Sequence, residues 1–212
     1  MSKKEIILIG GGGHCISCID VIESSGEYNI AGVVDLKSNI GKNILGYKYI
    51  GCDDDLIKLK EKYQYAIITV GYINESLLRK RLFELIQSLG YIIPVIISPN
   101  AYISRNSVIG KGTIVMHHTV INSGVKVGNN NIINTKSLLE HDTVVGNHNH
   151  ISTNVTVNGN VIIGNECFLG SSTVINNNIT LKDNIIVGSC SLINKDIFDS
   201  GMFVGVPAKK IK

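Results

Sequence analysis

The sequence predicts an α/β domain of Rossmann-like βαβ type over residues 1–98, followed by an all-β left-handed parallel β-helix over residues 99–212. Three observations carry this. Short apolar runs alternate with helical stretches in the first half. In the second half every sixth residue from Ile103 to Ile193 is aliphatic, at all sixteen positions. Glycine also recurs once in every three hexads, at Gly110, Gly128, Gly146 and Gly164.

In the first half, Ile6–Ile9 is a short apolar run stopped by Gly10, the mark of a buried parallel strand. A glycine loop, Gly10 to Gly13, leads into a helix from about His14 to Glu23. Ile30–Asp35 forms a second strand. Asp53, Asp54 and Asp55 open a helix to about Tyr63, with acids where the helix dipole favours them. Ala66–Gly71 is a third strand. Leu77, Leu78, Leu82, Leu85, Ile86 and Leu89 then mark a long amphipathic helix closed by Gly90.

In the second half, the aliphatics of the hexads point inward, one per side of a triangular coil. Two residues before them stand small or β-branched side chains such as Ala101, Ser107, Thr113, Thr119, Val125, Val161, Cys167 and Ser191, which fill corners. Gly and Asn, as in Asn129–Asn131 and Asn176–Asn178, are expected where the turns need left-handed backbone. Stacked coils satisfy each other's backbone hydrogen bonds and bury a continuous core, here about five coils deep.

Composition narrows the class. The 212 residues are 44% hydrophobic and 17% charged, as in an ordered globular protein. A net charge of +3 with no basic stripe gives no nucleic-acid footprint. No run approaches a membrane span or a signal sequence, so a cytoplasmic location is expected. The five cysteines are odd in number and imply free thiols. Cys15 and Cys18 form a C-x-x-C without the partners of a zinc site or the surroundings of a redox motif, and are assigned to a helix.

The period places candidate chemistry. His141 follows Leu139 by two and so occupies an outward corner, and the same corner of the next coil holds Gly159. A residue without a side chain there leaves room for a ligand beside an imidazole. The adjoining Asp142 can orient the ring, the usual task of a carboxylate beside a base. By itself, an exposed His-Asp pair is also an ordinary polar turn. The loop Gly10-x-Gly12-x-x-Cys15 lacks the third glycine of the dinucleotide fingerprint, although Asp35 lies at about the expected distance.

Glu140-His141-Asp142, His150 nine residues on, Gly159-Asn160, Cys167-Phe168-Leu169-Gly170 and the terminal Gly205-Val206-Pro207-Ala208-Lys209, with Gly10–His14 at the start, resemble the NeuD/PglD group of sugar acetyltransferases over nearly the whole chain. The resemblance implies acetyl-CoA as co-substrate, with no metal. It makes His141 the general base and Asp142 its orienting acid, where the group more often has Glu. It assigns His150, Gly159, Ser171 and Ser189 to acetyl-CoA, with His150 near the acetyl carbonyl, Gly159 at the oxyanion and the serines along the pantetheine groove. It assigns Gly12, Gly13, His14, Asp35 and Gly71 to the nucleotide of an activated sugar. Leu36 stands where the group often has a second acid, and Tyr72-Ile73-Asn74 where Gly-Asn or Gly-Asp is usual.

The implied assembly is a homotrimer with active sites between subunits. The implied reaction is N-acetylation of a UDP- or GDP-linked 4-amino-deoxyhexose, for a bacterial surface glycan or a nonulosonic acid, with the first domain swinging the sugar toward His141. The alternative within the group is O-acetylation of sialic acid, of the NeuD type. A binding scaffold is the reading from another class, and CoA binding separates it from these. Carbonic anhydrases on this helix use three histidines between subunits, but that spacing is not reproduced. His117, His118 and His148 are therefore expected as polar corner residues.

Overall fold

The computed structural model describes residues 3–212. Its first part is a sheet ordered β3-β4-β2-β1-β5, formed by β1 (Lys4–Ile9), β2 (Tyr28–Val34), β3 (Asn43–Ile44), β4 (Tyr47–Gly51) and β5 (Tyr65–Ile68). All neighbours are parallel except the β3–β4 hairpin at the edge. Ile6–Ile9 are buried on both sides, as an uninterrupted apolar run in a central parallel strand requires. The β3–β4 hairpin has no counterpart in the sequence reading, because Tyr47–Gly51 alternates only weakly in polarity.

Helices α1 (Gly13–Ser25), α2 (Leu56–Lys62) and α3 (Leu77–Ser88) flank the sheet, and a 3₁₀ turn over Asp53–Asp55 precedes α2. Cys15 and Cys18 are buried, unpaired residues of α1. The buried stripe of α3 differs from the expected one. Leu77 and Leu78 are exposed, and Arg79, Leu82, Phe83 and Ile86 face inward. Leu82, Leu85, Ile86 and Leu89 pack inward as expected, and the difference is confined to the first turn, where Arg79 takes the inner position.

The second part is a coil of three parallel faces. The first face stacks Ile96–Ile97, Ile114–Val115, Ile132–Ile133, His150–Ile151, Phe168–Leu169 and Ile185–Val187. The second runs from Tyr102–Ile103 to Leu192–Ile193, and the third from Val108–Ile109 to Thr180–Leu181. The inward hexad aliphatics are buried from Val115 onward. Ile96–Ile97 already pairs with the coil, ahead of the boundary at 98.

The corners follow two rules. Every sixth residue from Gly112 to Cys190 has a left-handed φ, and the holders include His118, Lys136, Asp142, His148, Glu166 and Ser172 as well as Gly and Asn. Backbone pairing between stacked coils thus enforces a conformation costing about 1 kcal/mol per non-glycine residue. The small residues before the aliphatics do more than fill space. Thr113, Thr119, Asn131, Ser137, Thr143, Asn149 and Thr173 each donate a side-chain hydrogen bond to the carbonyl 15 residues on.

The α/β part rests on the outer side of the first face. Ile114, Ile132, His150 and Phe168, whose side chains point away from the coil interior, are all buried there. At the far end, Gly201–Gly205 adds to the first face beside Ile185–Val187, and Ala208–Lys210 folds back on it.

Candidate active site

His141 and Asp142 lie on the edge between the second and third faces, just after the strand Leu138–Leu139. Both side chains are largely exposed, at 61% and 68%. His141 Nδ1 is 2.9 Å from Asp142 Oδ2. A carboxylate only accepts, so Nδ1 carries the proton, and in the neutral ring the lone pair is on Nε2. Asp142 adopts φ +60°, which Asp tolerates better than most residues. Glycines make the space on both sides. A Cβ on Gly159 would meet His141 Nε2 at 2.6 Å, and one on Gly124, a coil earlier, would meet Asp142 Oδ1 at 2.5 Å. Glu140 ties the turn down, accepting from Asn122 Nδ2 at 2.9 Å and from the His141 backbone N–H at 3.3 Å.

A second feature is a cavity of about 700 Å³ over the carboxyl ends of the sheet strands, the usual position for a ligand in an open α/β sheet. It gathers Gly12, Gly13, His14, Asp35 and Gly71, with Tyr72, Arg81, Asn134 and His150. The N-terminus of α1 opens here, with Gly12 as its cap, no side-chain capping bond and no acid in its first turn. Such an end favours an anion. Asp35 accepts from the Gly11 N–H, and Tyr49 Oη donates to Gly11 O at 3.1 Å, so the loop is held from both sides.

The inner end of the cavity is formed by two buried imidazoles. His150 Nδ1 donates to Tyr72 O at 2.7 Å, which leaves Nε2 as an acceptor, 3.4 Å from Asn134 Nδ2. His14 Nε2 is buried without a hydrogen-bond partner, and its ring centroid is 6.3 Å from that of His150. Burial, with lesser contributions from the Arg79 charge and His150, lowers the His14 pKa to about 3. Burial likewise lowers His150 to about 4, with Arg79 assisting against the Tyr72 hydrogen bond. Both rings are neutral near pH 7 and offer nitrogen lone pairs to a donor.

The fold thus brings together some of the expected residues and separates others. The five residues expected at a nucleotide, Gly12, Gly13, His14, Asp35 and Gly71, share one cavity. His150, expected beside the acyl donor, stands in that cavity with them. Ser171 and Ser189 lie one coil apart on the edge between the first and second faces, the edge that also carries Asn134. His141, Asp142 and Gly159 are on the next edge, across the second face. His118 and His148 hold left-handed corners as expected. His117 Nε2 instead lies 2.7 Å from Asp20 of α1, and its Nδ1 2.6 Å from Ser98 Oγ, joining the two parts of the chain. Tyr72 and Asn134 were missed as cavity residues. Asn134 precedes a small corner residue like many others, so periodicity gives it no signal, and Tyr72 registers only as a departure from the usual glycine.

Comparison with known proteins follows the same division. Residues 5–86 match the family described as PglD N-terminal domain, and residues 142–177 match bacterial transferase hexapeptide (six repeats). No curated protein matches the chain. Among solved structures, a histidine-to-asparagine mutant of perosamine N-acetyltransferase from Caulobacter crescentus, in complex with CoA and GDP-perosamine, is 28% identical with a TM-score of 0.93, covering 100% of this chain and 98% of that one. The acetyltransferase domain of PglB from Neisseria gonorrhoeae FA1090, in complex with acetyl coenzyme A, is 26% identical with a TM-score of 0.90, covering 99% and 100%. WeeI from Acinetobacter baumannii AYE shares the fold, at 18% identity and a TM-score of 0.70 over 99% and 100%.

Proposed function

We propose that this chain, a member of the NeuD/PglD type of hexapeptide-repeat sugar acetyltransferases, moves an acetyl group from acetyl-CoA to the amine of a nucleotide-linked amino sugar. Residues 1–98 act as the nucleotide-sugar domain and residues 99–212 as the acyltransferase domain. The diphosphate sits at the uncapped N-terminus of α1, where Gly12 and Gly13 leave the backbone N–H groups open to it. Asp35 faces the nucleoside, and the sugar extends toward His14, Gly71 and His150. The cavity suits a ligand with an anionic middle and a polar end. UDP and GDP are both candidates for the nucleotide.

His141 Nε2 takes a proton from the amine as its nitrogen attacks the thioester carbonyl. Asp142 holds the tautomer that leaves Nε2 free and steadies the imidazolium. Collapse of the tetrahedral intermediate expels the CoA thiolate, which receives that proton. Ser171 and Ser189 line the pantetheine path, and Gly159 flanks the reacting carbonyl.

The observation that carries this reading is the separation of the base from the cavity by the second face. Its outward residues include Tyr102, Val120, Leu138, Val174 and Leu192, a largely apolar surface suited to a second copy. A homotrimer packed there sets the cavity edge of one subunit against the His141 edge of its neighbour. No helix among the described residues is long and apolar enough to cross a membrane, and we place the enzyme in the cytoplasm, where acetyl-CoA and nucleotide sugars are made.

The test is thiol release from acetyl-CoA with UDP- and GDP-linked 4-amino sugars and with free sialic acid. Wild type should turn over a nucleotide-linked amine, and His141→Ala should lose most of that rate. Turnover of sialic acid alone would replace this acceptor with the O-acetylation alternative. Co-expressing His141→Ala with Asp35→Ala should restore activity in mixed trimers, because one interface then pairs two intact halves. No restoration would place both halves in one chain.

A further inference from the structure

One guanidinium gathers four backbone carbonyls from both parts of the chain. Arg79 of α3 is 1% exposed. Its Nη1 donates to Ile68 O at 2.8 Å and to Val70 O at 2.7 Å, at the exit of β5. Its Nε reaches Asn130 O at 3.3 Å, and Nη2 reaches Gly112 O at 3.4 Å. Gly112 and Asn130 are stacked left-handed corners of successive coils. Asn130 Nδ2 returns a weak bond to Arg79 O at 3.5 Å.

Arg79 forms no salt bridge with an acid among the described residues. Burial lowers its pKa to about 10, which leaves it charged at neutral pH. A buried cation without a counter-ion is a poor way to gain stability, and an aliphatic chain fills such a space at less cost. What the rigid fork of donors supplies is fixed geometry.

That geometry ends at the cavity. Val70 is followed by Gly71, where an added Cβ would lie 3.0 Å from His14 Cβ. Tyr72 comes next, and its carbonyl holds His150 Nδ1. The Tyr72 hydroxyl donates to His148 O at 2.5 Å and lies 3.0 Å from Cys167 O, both on the coil. The segment from Thr69 to Tyr72 is therefore pinned to the coil at both ends, by Arg79 and by Tyr72.

Resting on the reading of the cavity as the acceptor site, we propose that Arg79 is a positioning residue that fixes the sugar end of this cavity against the coil. The two parts of the chain then work as one rigid body. The acceptor is not carried to the base by a swing of the first domain, as the sequence suggests. It is presented at a fixed place, and the neighbouring subunit supplies the rest.

Arg79→Lys and Arg79→Met in the full chain test this. With the nucleotide-linked amino sugar used by wild type, the acceptor KM should rise about tenfold. The acetyl-CoA KM should stay within twofold, because Ser171 and Ser189 belong to coils the fork does not touch. Arg79→Lys keeps the charge and serves if Arg79→Met does not fold. Hydrogen exchange gives a reading independent of turnover: the Thr69 amide, which donates to Ile9 O at 2.8 Å, should exchange at least tenfold faster in Arg79→Lys, with residues 132–169 unchanged. Unchanged exchange at Thr69 overturns the strut whatever the acceptor. Faster exchange with acceptor and donor KM moving together overturns the positioning role. If wild type acetylates no nucleotide-linked sugar, the proposed function fails while the exchange result still decides the strut.

Discussion

Replacing Gly159 with alanine separates the chemistry of the His141 edge from its stability. The added Cβ would stand 2.6 Å from His141 Nε2, 2.7 Å from Cε1 and 3.2 Å from Cδ2. Comfortable contact needs about 3.5 Å or more, so the ring must move by about 1 Å. The side chain is 61% exposed, so the ring can move toward solvent. Gly159 has no left-handed φ, so alanine adds no backbone strain there. The stability change should stay within about 0.5 kcal/mol.

The ring, however, is held to Asp142 by a bond of 2.9 Å, and a shift of about 1 Å takes it beyond hydrogen-bonding distance. A misplacement of that size costs on the order of 100-fold in rate, equal to about 2.7 kcal/mol of barrier. Thiol release from acetyl-CoA should therefore fall about 100-fold at an unchanged melting temperature. The same variant distinguishes two roles for Gly159. Alanine keeps the backbone N–H, so an oxyanion role alone leaves the rate near wild type, whereas a seat for the ring does not. A variant with more than half the wild-type rate, or one that loses activity only by unfolding, would refute the argument.

Gly146→Ala should do the opposite. Its Cβ would lie 2.5 Å from Gly164 O in the next coil, a backbone atom that cannot swing aside, so about 1–3 kcal/mol of stability should be lost in urea unfolding. Acid should also weaken the fold. His14 and His150 have folded pKa values of about 3 and 4, below an unfolded value of about 6.5. The unfolded chain then binds more protons across that window. Stability rises with pH through it and falls as pH drops from about 6.5 toward 4. Melting temperatures across this range should show the slope, and His150→Gln should flatten it; a slope unchanged in that variant would remove His150 from the account.

The coil was legible because its constraint is periodic. Backbone pairing once every three hexads forces the same corner into each layer, so Leu139, His141 and Gly159 could be placed by counting. Counting did not reveal which residues tolerate the left-handed corners. Lys136, Glu166 and Ser172 do so although sequence preference points to Gly and Asn, since the stacked hydrogen bonds outweigh a cost of about 1 kcal/mol at each. In α3, the leucine pattern found the buried side through Leu82, Leu85, Ile86 and Leu89 but missed that Arg79 and Phe83 complete it and that Leu77 and Leu78 are exposed. A charge at the register of a buried stripe, Arg79 with Leu82, Phe83 and Ile86, was the available signal.

The same contrast bears on how the two halves of the site can change. The His141 edge depends on glycines one coil away, Gly124 and Gly159, whose role is set by the period. The cavity depends on contacts without a period: Tyr72 on His148 and Cys167, and Arg79 on Gly112 and Asn130. Each of these joins a loop or helix of the α/β part to one coil or to two stacked ones. A substitution at Tyr72 or Leu36 reshapes the cavity without altering the rule that stacks the coils. Under the proposed function, acceptor preference is free to vary while the His141 edge stays fixed, provided that Arg79 continues to hold the cavity against the coil.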